Sequence, residues 1–577
     1  MATIQARTVK GHKYWYLVES RRVDGKPRPI VLAYLGKADD LLQKLQTHAS
    51  VSVKSYSHGG IAALLNLVAE LDLVCLINQC LTSNPSWSPR LRDGLTVGAS
   101  LVLRSLERIC APCSNRAFAQ WAGTTSLDYL LPIASANLDS QHFWDQMEAV
   151  PVESLSLVEE TLVRRLSERG LITLDTLLFD ATNFFTFIDS TNLHCTLAQR
   201  GKNKQGRNNL RQVGVLVVVS RREVIPLFHD SYQGNKPDSK MFADTIGRLI
   251  ERLRRLLGDL EAVTLVFDRG NNSQDNLSAE TLPLHYVAAL VPSQHTDLVD
   301  AACGIFEAAR ASANAEDRLC YRVRQMLWAR ERTIVVYRSQ EMYQGQRRGV
   351  DQDLEKRLRG LAELNQRLAN PRSKKRRRAE VCQMVEELLH GQFMEGLVKW
   401  EVYRSGGKYQ IRYSRDEDAL THLDQRLGLR MLMTDRHDWS NEAIIDAYHS
   451  QAWVEFGFRN LKNPYHLGLR PQYHWTDQKI RVHVFTCVLG LLLMSILYGR
   501  ARQAGYGPSS YDTFLDQLNG IRLATVLRAG NKGETTVEYQ LEQLDPQQLQ
   551  LVEVFHLQSA HRDRPQIPEL LYTPDSH

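Results

Sequence analysis

Apolar residues recur at three- and four-residue spacing through IAALLNLVAELDLVCLINQCL and LTVGASLVLRSLERI, so the chain from about Ile61 to Val150 is expected to form a helical bundle. A β-hairpin should precede it, with strand-like runs at Tyr14–Ser20 and Pro29–Tyr34 around the turn element Asp24-Gly25-Lys26. One more helix, about Ser154–Gly170, leads to an abrupt change of period. Leu171–Phe179 (LITLDTLLF) is a short apolar strand ending at Asp180, and Ala262–Phe267 (AVTLVF) is another ending at Asp268. Between them, Val213–Ser220 and Val224–Asp230 predict a hairpin, and Lys240 to Leu257 a helix. His285–Val291 adds a further strand. Strands alternating with helices, with acids where buried strands meet solvent, predict an α/β layer fold with its site at a strand edge.

The rhythm breaks from Pro292 to Arg426. Strand-like runs at Leu319–Val323, Thr333–Tyr337, Trp400–Arg404 and Lys408–Tyr413 surround a charge-dense helical stretch, Gln352 to Leu389, which reads as an inserted α+β domain. The α/β pattern resumes at Leu429–Met433 (LRMLM), followed by a helix starting near Ser440. The expected organisation is 1–50 hairpin region, 51–165 helical domain, 166–291 first part of the core, 292–426 insertion, 427–504 second part of the core and 505–577 helical tail. The apolar run Val484 to Leu497 falls short of the roughly 17–25 residues of a spanning helix and reads as a core helix. No apolar segment follows the polar start Met1–Lys10, and nine cysteines are too sparse for a disulfide scaffold, so a reduced, cytoplasmic protein without a membrane partner is expected.

A net charge of +6 on 577 residues is mild, but its distribution is not. Ser190 to Arg222 carries seven basic residues, among them Arg200, Lys202, Lys204 and Arg207, and no acid. Glu341 to Glu380 carries a further +6, ending in the run Lys374-Lys375-Arg376-Arg377-Arg378, which leaves the rest of the chain at −7. Two basic zones on a slightly acidic body suit a phosphate backbone, an acidic membrane or an acidic partner, or else are a solvated helix face or a disordered loop.

Asp180 (FDATN) and Asp268 (FDRGNN) are carboxylates at the edge of an apolar sheet, a costly place unless a cation or donors meet them. Glu455 on the later helix could close a hard-oxygen site for Mg²⁺, and a two-ion site performs phosphoryl transfer. Other constellations are weaker. Cys110-Ala-Pro-Cys113 is a lone CxxC, and neither a GxxxxGK[ST] loop nor a GxSxG elbow occurs. Trp453 and Trp400 read as packing residues, with stacking on an extruded base as the alternative, and His449 and His474 as structural or phosphate-adjacent rather than catalytic.

Tyr448-His-Ser-Gln451-Ala-Trp-Val-Glu455-Phe-Gly-Phe-Arg-Asn-Leu-Lys462 resembles the Tyr-x2-Arg-x3-Glu-x6-Lys motif of DDE transposases of the insertion sequence four superfamily. FDATN, FDRGN and GNKPDSKMF (Gly234–Phe242) look like further blocks of that family, and YLVESRRVDGKPRPIVLAYLG like its start. The resemblance implies an RNase H-like catalytic core (a mixed sheet flanked by helices) interrupted by an insertion domain, with an N-terminal helical domain for DNA binding or dimerisation. It implies Asp180, Asp268 and Glu455 as ligands of two Mg²⁺ ions, for which Mn²⁺ may substitute. Tyr448 and Lys462 would contact the DNA end, and Gln451 stands where the family has Arg, with Arg459 as a substitute. Lys374, Lys375 and Arg376, with the first basic zone, would bind double-stranded DNA, both terminal inverted repeats and target, in a synaptic complex containing a homodimer. The expected activity is cleavage of element ends and their transfer to target DNA. The alternatives are a metal-dependent nuclease and an inactive DNA-binding derivative; a third, RNA binding, lacks a supporting aromatic strand.

Overall fold

A computed structural model describes residues 2–10, 12–23, 26–39, 51–88, 92–201, 207–277, 282–311, 320–372, 374, 376–470, 472–529, 535–560 and 562–571. The chain divides into two units: Met1–Val74, Cys113–Phe143 and Leu497–Leu570 form one, and Cys75–Pro112, Trp144–Ile496 and Leu571–His577 the other.

In the first unit β1 (Ala2–Val9), β2 (His12–Val23) and β3 (Lys26–Gly36) make an antiparallel sheet. The expected hairpin is present as β2–β3, and β1 is an additional strand; the tip of the expected turn, Asp24-Gly25, lies outside the described residues. β4 (Val51–Ser57) pairs with Arg522–Ala529, which pairs with Thr535–Leu541. The tail expected to be helical therefore supplies two strands. Thr525, Val526 and Val537 are β-branched residues that favour a pleated surface over a helix. The helix Gly59–Glu70 starts against the chain near Ile521 so closely that a Cβ on Gly59 would lie 2.5 Å from Leu518 O.

The second unit is built on a nine-stranded mixed sheet. Its strands are β5 (Thr176–Thr186), β6 (Gln199–Arg200), β7 (Arg211–Ser220), β8 (Pro226–Gln233), β9 (Thr264–Phe267), β10 (His285–Leu290), β11 (Cys320–Leu327) and β12 (Arg330–Arg338). After the hairpin β13 (Val398–Ser405)–β14 (Lys408–Arg415), which stands apart, β15 (Leu429–Thr434) completes it. The order is β11-β12-β15-β10-β9-β5-β7-β6, with β8 also on β7. β5, β9 and β10 are parallel to one another, and β7 and β15 run against them. Phe179, Val217, Val266, Phe267 and Val287 are fully buried, as strands covered on both faces require.

Two expected boundaries move. The runs near 319–323 and 333–337 are strands, but they belong to the large sheet, because β12 pairs with β15 across the insertion. The inserted unit is thus shorter than 292–426. It leaves at Ser339 and returns at Gly428, whose backbone groups bond to each other at 2.9 Å (Ser339 N to Gly428 O). Gly428 has φ +76°, and a Cβ there would lie 2.6 Å from that of Tyr343. Within the insertion, Leu354, Leu361 and Leu364 of the helix Gln340–Ala369 meet Val381, Val402 and Ile411 in a core of their own. The apolar run 484–497 belongs to a longer helix, Asp477–Gln503; by length and composition it could cross a membrane, yet 94% of its most apolar 18 residues are buried.

Candidate catalytic site at the sheet edge

β5 does not stop at Asp180. It continues to Thr186 because β7 still pairs with it, Asp180 opposite Val217, after β9 has ended at Phe267. Losing one neighbour leaves Asp180–Asn183 half-buried within an otherwise buried strand. Asp268 is the first residue past β9, still extended (φ −81°, ψ 163°), and caps a short turn through Arg269 N at 2.7 Å. Because Phe179 pairs with Phe267, the residues that follow them, Asp180 and Asp268, lie level with each other on neighbouring parallel chain segments. They therefore share a face of the sheet, with backbones about 5 Å apart.

Side chains alternate along a strand, so Asp180, Thr182 and Phe184 also share that face. Lys462 reaches two of them: its Nζ donates to Thr182 Oγ1 at 2.5 Å and lies 5.7 Å from the centre of the Phe184 ring. The helix Gln451–Lys462 consequently lies over the face that carries the aspartates. At its start, Gln451 Nε2 donates to Phe179 O at 3.4 Å, beside Asp180. A preceding helix, Asn441–His449, is capped by Ser440 and carries Tyr448. The two helices meet at Ser450, whose Oγ donates to Asp446 O and accepts from Arg221 Nε, both at 2.7 Å.

Tyr448 donates its hydroxyl to Asp268 Oδ1 at 3.1 Å. Burial, then the Asp268 charge and the hydrogen bond to it, raises the phenol above its ordinary value, so the group stays a proton donor. The bonds to Asp268 from Tyr448 and from Arg269 N both fall on Oδ1, and Asp180 Oδ1 accepts from Ala181 N at 2.8 Å.

The aspartate pair fits a divalent cation: two hard-oxygen donors side by side, one oriented by a phenol. Glu455 lies on the same helix as Gln451 and Lys462, one turn past Gln451, but its side chain is exposed. Among the described residues no three His, Cys, Asp or Glu side chains gather closely enough to hold a metal ion. Arg459, one turn further, is exposed as well.

The basic zones lie elsewhere. Arg200 pairs across β6–β7 with Arg211, which pairs with Thr186 at the far end of β5. That is six residues, about 20 Å, from Asp180. Arg200 and Arg207 are exposed, while Lys202 and Lys204 lie outside the described residues. Lys374 and Arg376 are exposed in the connection between the insertion's two long helices; Lys375 is outside the described residues. Lys408, at the tip of the β13–β14 hairpin, donates to Asn370 O and so adds a cation to that end. Trp453 is 44% exposed beside Glu455, while Trp400 packs against the insertion core. His449 Nε2 bonds the Tyr337 hydroxyl at 2.9 Å, and His474 is buried.

Residues 3–72 match the model of the IS1634 family transposase N-terminal domain. The start of this chain is similar to that of insertion-sequence transposases. The match names the IS1634 family and does not reach the motif that suggested the insertion sequence four superfamily. No curated protein matches the chain. Among solved structures it is similar to the cryo-EM structure of a piggyBac transposase synaptic complex with hairpin DNA, at 9% identity over 80% of this chain and 79% of that one, with a TM-score of 0.35.

Proposed function

We propose that the protein is a DDE transposase with an RNase H-like core, which binds the terminal inverted repeats of an insertion sequence, cleaves the element ends and joins them to target DNA. The observation that carries this reading is the placement of Asp180 and Asp268 side by side, beneath the helix that holds Gln451, Glu455 and Lys462. The N-terminal match supports it independently.

Asp180 and Asp268 would hold Mg²⁺ (Mn²⁺ substituting), with Glu455 completing the set for a second ion once its side chain turns inward. Such ions supply charge to the attacking and leaving oxygens of an in-line displacement. Tyr448 fixes the Asp268 carboxylate, and Lys462 places a cation above β5 where a phosphate of the DNA end would lie. Gln451 fills the family's Arg position with a neutral amide, which cannot pair a phosphate in the bidentate way of a guanidinium. Two protomers pairing two ends would form the synaptic complex.

The test is to incubate the purified chain with Mg²⁺ and the DNA flanking its gene and to map the products. Cuts at two discrete ends, with the new 3′-hydroxyls joined to a target plasmid, are expected. Cuts without joining would leave a nuclease, and specific binding without cuts an inactive derivative.

The exposed cations at the end of the insertion carry a separate expectation. Replacing Lys374 and Arg376 together by Gln should lower the slope of log affinity against log salt by about 1.8, roughly 0.9 per phosphate contact. An unchanged slope in a filter-binding titration makes the run a solvated loop.

A further inference from the structure

Arg430 is a charged residue in the otherwise apolar strand LRMLM, and the sheet register shows where it points. Ala288 pairs with Phe267, so Asp268 aligns with Ala289, which pairs with Leu432. Arg430 is two residues beyond Leu432 and opposite Tyr337, on the same face of the sheet as Asp268 and farther toward the open edge. Its guanidinium carbon lies 6.0 Å from the centre of the Tyr448 ring, whose hydroxyl holds Asp268.

The neighbouring arginines of this sheet are spent on protein carbonyls. Arg322 donates to Trp439 O and His437 O, Arg332 to Leu277 O, and Arg338 to Asp424 O. Among the described residues no hydrogen bond or ion pair holds the Arg430 guanidinium; its buried Nε is unpartnered, as are those of Arg332 and Arg338, but each of those two still binds a carbonyl through Nη2. Leaving a guanidinium donor unused in a half-buried place is costly, and an arriving anion removes that cost.

We propose that Arg430 holds a phosphate of the DNA end beside Asp268, supplying from β15 the guanidinium that position 451 lacks. The inference rests on the transposase reading of this site. Lys462 and Arg430 then place one cation at each side of the aspartate pair, over β5 and beyond Tyr448 respectively. A duplex end lying along the open edge would meet both.

The experiment uses the full chain, a duplex carrying the element end, and the variants Arg430→Gln, Arg430→Lys and Arg430→Gln with Gln451→Arg. Arg430→Gln should slow Mg²⁺-dependent cleavage about 10- to 100-fold, the range of a lost hydrogen bond to a charged group. It should also lower the salt slope of binding by about 0.9. Gln451→Arg should restore most of the rate in the double variant, and Arg430→Lys should retain the slope but not the full rate, since Lys lacks the planar fork. Cleavage by Arg430→Gln at the wild-type rate overturns the proposal. So does a slow variant with a lowered unfolding temperature that Gln451→Arg fails to rescue, which would make Arg430 a structural residue. A wild-type chain that does not cut end DNA overturns the transposase reading itself, and that result is visible before any Arg430 variant is made.

Discussion

Asp268→Asn is expected to abolish end cleavage while leaving the protein folded. The substitution keeps the shape of the side chain and an oxygen for the Tyr448 hydroxyl, so the local hydrogen bonds survive. Asp268 is exposed, and a surface change that preserves its contacts should alter stability by no more than about 0.5 kcal/mol. What disappears is the negative charge that would bind a divalent cation. Removing one preorganised electrostatic partner from a reacting centre costs roughly 10²–10³ in rate, and loss of a metal ligand should reach at least the upper end. Asp180→Asn should behave alike, and the double variant should be little worse than either single one, because the two carboxylates act as a unit. The measurement is Mg²⁺-dependent cleavage of an end-containing duplex, with thermal unfolding beside it. A cleavage rate for Asp268→Asn comparable to that of the wild-type chain removes this residue from the site. A collapse in unfolding temperature would instead mark it as structural.

The parts of this site legible in the sequence are those fixed by local pattern. LITLDTLLF and AVTLVF are apolar runs followed by acids, and their last four residues form buried strands; Leu171–Asp175, expected to belong to the first strand, lies ahead of it, since β5 begins only at Thr176. Ser440 with Glu442 marks a helix start through the backbone groups it must satisfy. The unreadable parts depend on partners distant in the chain. β5 continues past Asp180 only because β7 lies beside it, and no pattern within FDATNFFT announces that. The runs near 320 and 333 are recognisable as strands, but nothing local says that the second of them, β12, pairs with β15, some ninety residues on and beyond an intervening domain. Tail strands that pair with β4 were hidden for the same reason. Arg430 had a local signal, one charge within an apolar strand, but its meaning required the register that aligns it with Asp268. The exposed orientation of Glu455 is a side-chain state that sequence spacing does not encode.

The second large effect is expected far from the aspartates, at Glu107. Its carboxylate is fully buried and shared: Arg104 Nη1 lies 2.9 Å and Arg108 Nε 3.1 Å from Oε2, with both arginines buried as well. Arg108 also donates to Gly468 O at 3.2 Å, which ties the helix Val97–Cys110 to the chain that follows the motif helix. Removing the carboxylate leaves two buried guanidiniums facing each other, and breaking a buried pair in this way costs about 3–5 kcal/mol. Glu107→Ala should therefore shift denaturant unfolding of the full chain strongly. Glu107→Gln keeps the shape without the charge, so a loss close to that of Ala assigns the cost to charge, whereas a small loss assigns it to packing. The same cluster makes the protein sensitive to acid. Burial, followed by the charges of Arg104 and Arg108, depresses His474 to about 3, and burial with the nearby His474 depresses His483 well below its usual range. Both are neutral when folded but bind a proton when unfolded below about 6.5, so their contribution to stability is full above that pH and is lost as pH falls. For His474 the window runs from its ordinary value of 6.5 down to about 3. Each histidine should cost about 1.4 kcal/mol per pH unit within its window. Unfolding curves at pH 7.5 and 5.5 that coincide would show that these rings are not held neutral. A curve shifted at pH 5.5 in the wild-type chain, and less so in His474→Gln, would trace the acid loss to this buried cluster, because a glutamine there has no proton to gain on unfolding.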